Sequence, residues 1–424
     1  MTQLEQKQYL EEVALEFMKL TPESDFKTIA DLAKYFNDTY GDDYDWDDVG
    51  EWGEDILDAA KKSLGTRTIH TEQYGSSVYN DVYENYTALL MASNFKGHFT
   101  ARNGRWQLTN ADDLQFIFND KNGTQCVIKL EAQGNVTKVY AFNLDDWYDY
   151  DWQRSGNTYI YNEYYDRTQY TIGVPEHVIV TLTQGNTTLI KTTVDVSLTN
   201  VSGETLDISK GGFNVSSLTE MHNGYKIQAT DVNYTGNKKA SSTVTVTKGG
   251  TMLVTMSCAG NVNDLPSVNV DAFTSNFDID DYNTDDANAK DVFVKCDILG
   301  KVQMQGKVTD FRKFVDYLNS ADDNDDNESQ YKSYINQANS LIDINVFYKN
   351  TNVKQASVKL EPFVDETWGG HTYWTVEPVM VFYDGSSYST FEAFFNDNDF
   401  KNTIREFKSL ANRYADLIDT EIDW

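Results

Sequence analysis

The sequence predicts an α+β protein, with antiparallel β-meander sheets covered by N-terminal and C-terminal helices. Helix-period stripes bound the chain at both ends, and strand-period segments joined by two-residue turns fill the middle. Strict βαβ alternation is missing, which argues against Rossmann and barrel folds. Helices would then cover sheet faces that otherwise stay wet.

Taken in order, residues 1–65 read as a helical segment. Leu10, Val13, Ala14, Phe17 and Met18 form one stripe at helical spacing, and Thr21-Pro22 suits the start of a new helix. Phe26, Ile29, Ala30, Ala33 and Phe36 form a second stripe, and Trp52, Ile56, Ala59, Ala60 and Leu64 a third that Gly65 stops. Residues 66–290 read as an antiparallel β-rich region. Asn103-Gly104, Asn122-Gly123 and Asn223-Gly224 supply the positive φ that tight hairpin turns require, as do Gly134-Asn135, Gly185-Asn186 and Gly249-Gly250. The run from Val180 (VTLTQGNTTLIK) echoes the run from Val244 (VTVTKGGTMLVT), a likeness that antiparallel hairpins also reach by convergence. Residues 291–424 mix both periods and close on a helix. Phe311, Phe314, Val315 and Leu318 mark one helix, and Tyr334, Ile335, Ala338, Leu341 and Ile342 the next. Strands are expected at Ile344–Tyr348, Gln355–Leu360 and Tyr373–Phe382, before an amphipathic helix from Phe400 to Ile418.

Sixty-six Asp and Glu against 35 Lys and Arg leave a formal charge of −31. Such a surface repels phosphate backbones and anionic lipid head groups, which argues against nucleic acid and leaves cations, sugars and other proteins as partners. No apolar run approaches the ~20 residues that span a bilayer as a helix. The three cysteines, Cys126, Cys258 and Cys296, allow at most one disulfide and lack zinc-site spacing. Cys126 and Cys258 lie in apolar strand patterns and are expected to be buried.

The segment from Glu5 (EQKQYLEE), that from Val353 (VKQASVKLEP), that from Trp374 (WTVEPVMVF) and that from Asp384 (DGSSYSTF) resemble exported lipoproteins of gut Bacteroidetes, which have no assigned activity. The resemblance implies an exported protein at the outer-membrane surface or in the periplasm. Its signal peptide and lipid-bearing cysteine would lie upstream of Met1.

Four constellations suggest chemistry. Asp43, Asp45, Asp47 and Glu54 stand at positions 1, 3, 5 and 12 of an EF-hand-like loop, where alternate carboxylates and a bidentate Glu hold Ca²⁺. Asp48 and Gly50 depart from that pattern, and the competing reading is an acidic interhelical loop whose Trp46 and Trp52 rest on the body. No other cofactor is expected. Trp147, Tyr148, Tyr150 and Trp152 alternate with Asp145, Asp146, Asp149 and Asp151, a composition that suits a carbohydrate platform: flat rings stack on sugars while carboxylates bind hydroxyls. Trp368 and Trp374 form a second such candidate, although Tyr and Trp also simply favour strands. The same acids could serve a glycoside hydrolase as acid and nucleophile or base. Apolar runs Leu89-Leu90-Met91 and Met252-Leu253-Val254 could line a groove for a lipid or other apolar ligand. No nucleophile-elbow, Walker or HExxH pattern occurs, and the five histidines are scattered. The expectation is an exported or surface-anchored binding or structural protein rather than an enzyme.

Overall fold

A computed structural model describes residues 1–40, 66–71, 92–93, 95–102, 105–155, 158–202, 205–206, 212–235, 239–263, 288–349, 351–383, 389–390, 400–417, 420 and 422. Antiparallel β-sheet dominates, with a few helices, so the class is α+β. The chain divides into two compact units, one made of Met1–Asp31, Asn223–Leu265 and Asp286–Trp424, the other of Leu32–His222 and Pro266–Asp285.

In the first unit, α1 (Gln3–Leu20) opens on a capping box: the Glu5 N–H donates to the Thr2 hydroxyl, and the Thr2 N–H donates to the Glu5 carboxylate. A short 3-10 turn (Glu23–Asp25) leads into α2 (Lys27–Tyr40), whose residues from Leu32 onward belong to the second unit. Nine strands then pair antiparallel in chain order: β11 (Tyr225–Thr235), β12 (Lys239–Lys248), β13 (Thr251–Asn263), β14 (Asn288–Ile298), β15 (Val302–Asp310), β16 (Ile342–Tyr348), β17 (Lys354–Trp368), β18 (His371–Phe382) and β19 (Ser389–Thr390). Helices α3 (Phe311–Asp322) and α4 (Glu328–Asn339) stand between β15 and β16, and α5 (Lys401–Leu417) follows β19. Asp310 and Asn327 cap α3 and α4.

Alternation puts one apolar face of this sheet in core use. Val346, Tyr348, Ala356, Met380, Phe382 and Phe400 are buried together, with Tyr9 and Leu10 of α1 and Ile404 of α5 packed against them. A buried phenol needs a partner, and the Tyr348 hydroxyl donates to Gln6 Oε1 at 3.0 Å. Gln6 is itself fully buried and donates to the Met1 and Gln355 carbonyls. Burial pushes the Tyr348 phenol well above its ordinary value. A second cluster joins Ala321 of α3 and Tyr331 and Ile335 of α4 to Leu360, Trp374 and Val376. The close approach of β15 and β16 requires glycine at 306, where a Cβ would meet the Asp343 carbonyl oxygen at 2.1 Å.

In the second unit, β3 (Arg105–Thr109) pairs with β2 (Gly97–Arg102), and β2 runs parallel to β4 (Leu114–Asn119). The rest is antiparallel: β4 to β5 (Gln125–Ser155), β5 to β6 (Thr158–Gln184), β6 to β7 (Thr187–Thr199) and β7 to β10 (Gly212–Met221). Strand β1 (Thr66–Thr71) shares the β7 edge of β6, and β8 (Val201–Ser202) pairs with β9 (Thr205–Leu206). Leu32, Phe95, Phe99, Trp106, Leu114, Phe118, Cys126, Leu130 and Leu189 form the core, with Phe36 edge-on to Phe118 at 4.9 Å.

One four-stranded pattern recurs three times, as β5-β6-β7-β10, β11-β12-β13-β14 and β15-β16-β17-β18. In each, the residue after the second strand takes a left-handed backbone: Gly185 (φ 56), Gly249 (φ 55) and Lys349 (φ 56). Its N–H donates to the carbonyl just before the first strand or at its start, at Gln125, Gly224 and Lys301. One extra residue then bulges from the third strand: Leu189, Leu253 and Gln355. Each bulged carbonyl accepts from the residue after the fourth strand, His222, Leu299 and Tyr383. The sequence echo between Val180 and Val244 is therefore a shared backbone device, and Ile344 begins a third copy that the side chains hide. Gly134-Asn135, expected in a turn, lies instead within β5 at a register shift. Gly134 takes φ 78 there, and Glu176 accepts from the Asn135 backbone and side-chain N–H groups at 3.0 and 3.1 Å.

Candidate functional site

The hairpin of β5 and β6 is the longest element pair, and its turn end carries the aromatic-acidic cluster. The ladder sets Tyr148 opposite Tyr165, Tyr150 opposite Glu163 and Trp152 opposite Tyr161. These six residues are three directly opposed pairs at every second position of the ladder. Asp149 and Asp151 take the intervening ladder positions, opposite Tyr164 and Asn162. Trp147, with Asp145 and Asp146, lies within the register shift between Leu144 and Tyr148. At the inner limit of the row, Thr71 of β1 pairs with Tyr165. The ladder thus interleaves the aromatic positions, with Glu163 among them, and the positions of Asp149 and Asp151.

The second aromatic pair lies on the β17–β18 hairpin of the other unit. Trp368 pairs with His371 next to the turn, and Trp374 pairs with Val364. The Trp374 ring packs on the α3–α4 pair, with the Lys332 ammonium 4.4 Å from its centroid, and the Trp374 backbone N–H donates to the Asp325 carbonyl. That ring is engaged by its own fold. Asp43, Asp45, Asp47 and Glu54 lie outside the described residues. Among the described residues, no group of three His, Cys, Asp or Glu is placed to hold a metal ion.

Sequence spacing gives no sign of two histidine–aspartate pairs in the second unit. His98 and Asp113 meet at 2.7 Å, and Gln115 donates to the other Asp113 oxygen at 2.7 Å. The Gln115 bond, followed by His98, holds the Asp113 carboxyl below the usual range. His177 and Asp195, cross-strand partners on β6 and β7, meet through Nδ1 and Oδ1. Parallel pairing of β2 with β4 creates the first contact, and such pairing leaves no local mark in the chain.

Cys126 is buried as expected, but Cys258 is exposed, because the apolar face it shares is open at that point. Among the described residues no helix is long and apolar enough to cross a membrane. No protein-family model, curated protein or solved structure matches the chain.

Proposed function

We propose that this chain is an exported, lipid-anchored binding protein without catalysis, and that it engages a glycan or another cell-surface component through one face of the β5–β6 hairpin. The observation that carries the reading is the register that aligns Tyr148, Tyr150 and Trp152 with Tyr165, Glu163 and Tyr161. A row of flat rings offers stacking surfaces to successive sugar rings, and Glu163 supplies an acceptor for hydroxyls. Trp147 precedes Tyr148 in sequence, within the adjoining register shift. The antiparallel meanders, with helices laid over their apolar faces, act as the rigid scaffold for this hairpin. A hydrolase is the weaker reading, since Asp149 and Asp151 take ladder positions that alternate with the aromatic ones.

A glycan array probed with the purified chain and with a Trp147→Ala/Trp152→Ala variant tests this. Binding by the parent chain and its loss in the variant is the expected result. Failure to bind any glycan overturns the reading and raises the apolar-ligand carrier in its place. Binding that survives in the variant moves the site away from this hairpin.

A further inference from the structure

Part of the apolar face of the first unit's sheet is built from sulfur. Met256 of β13 stands opposite Cys296 of β14, and Cys296 stands opposite Met304 of β15. Directly paired residues share a face, so these three side chains form one row across three adjacent strands. Cys258, two residues beyond Met256 and opposite Val294, lies on the same face. Farther along the same row come Val346, Ala356 and Phe382, all buried in the core beneath α1 and α5. Where the face is covered, the row is Val, Ala and Phe; where it opens, it runs Met304, Cys296 and Met256 before ending on Val244 and Ala229. Met256 is 58% exposed and Met304 43%, so neither is there to fill a core. Cys258 is exposed, Cys296 is half-buried, and both are free thiols.

We propose that this row is a binding site for a soft monovalent cation, with Cu(I) as its ligand. Thiolates and thioethers select soft ions, and the row offers neither carboxylate nor imidazole to a harder one. Strand spacing places Met256 and Met304 about 10 Å apart, on either side of Cys296. Three rotatable bonds let each thioether bend inward to meet an ion above the central sulfur. Cys296 supplies the one negative charge that balances Cu(I), the two methionines supply neutral donors, and Cys258 stands within reach as a fourth. Binding replaces the Cys296 S–H proton, which passes to solvent. Because the ion competes with that proton, uptake weakens as pH falls. The site shares no residue with the aromatic hairpin and does not rest on it.

The test is an anaerobic titration in which the full chain competes with bicinchoninate for ascorbate-reduced Cu(I). One ion per chain is expected. Cys296→Ser should loosen binding at least about 100-fold, and Met256→Leu/Met304→Leu at least about 10-fold. Met252→Leu, on β13 but paired with Thr247 outside the row, should leave the affinity unchanged. Leu for Met conserves volume, so the double variant keeps the fold even where Cys296→Ser does not, and circular dichroism checks both. Absence of stoichiometric uptake overturns the proposal. So does wild-type affinity in a folded Cys296→Ser chain, or in the methionine pair.

Discussion

Asp120 shows how a single side chain can organise a turn. Its carboxylate accepts from the Asn122 and Thr124 N–H groups at 2.8 Å each and from Gln184 Nε2 at 2.7 Å. Burial opposes ionisation there, but these bonds outweigh it and hold the carboxyl below its ordinary value. A depressed folded pKa gives stability that is complete above the unfolded value and fades as pH falls through the folded one. Thermal melts of the parent chain and of Asp120→Asn should therefore differ most near neutral pH, and converge below about pH 4. A gap that stays constant down to the acid limit would show that the carboxylate charge plays no part. The Asn122-Gly123 dipeptide marks this turn in the sequence, and Gly123 takes the positive φ that the dipeptide predicts. Gln6 is the opposite case. The apolar stripe of α1 points to Leu10, Val13 and their neighbours, whereas the first turn buries a glutamine because the Tyr348 phenol, distant in sequence, needs an acceptor.

At the scale of elements, periodicity locates the helices and hairpins well, and it misses what backbone geometry adds to them. The helices at Phe311 and Lys401 start within a residue of their stripes. Strand β17 runs through Pro362 to Trp368, although proline removes a ladder donor and the strand pattern stops short of it. The aromatic candidates are legible as composition, but which of them share a face depends on a register shift that no residue type announces. The sulfur row is invisible along the chain, since its members lie on three strands and meet only through pairing. The repeated turn-and-bulge device can be tested at two points. Gly249→Ala should cost about 1 kcal/mol by equilibrium unfolding, from backbone conformation alone, because nothing lies within 4 Å of the added Cβ. Leu253, 1% exposed in the bulge, should cost about 2–4 kcal/mol as alanine. Equal costs at the two positions would contradict this division between backbone and packing.

For the whole molecule, net charge is the property that the sequence states outright. A formal charge of −31 makes the folded chain repel itself, and salt screens that repulsion. Raising ionic strength from about 0.01 to 0.15 M should raise the melting temperature, the screening length falling from about 30 to 8 Å. A melting temperature that falls with salt would mean that surface ion pairs such as Lys27–Asp31 outweigh the repulsion. The recurring turn and bulge bear on a different problem, that of finding one alignment among many. Strands such as Val244-Thr-Val-Thr could slide by two residues and still present valine to one side and threonine to the other, so hydrophobicity alone cannot tell the right alignment from its neighbour. A left-handed residue and a bulged carbonyl fall in place at one setting only. They work as an index mark, stamped three times along the chain, that makes every such slide lose two hydrogen bonds at once.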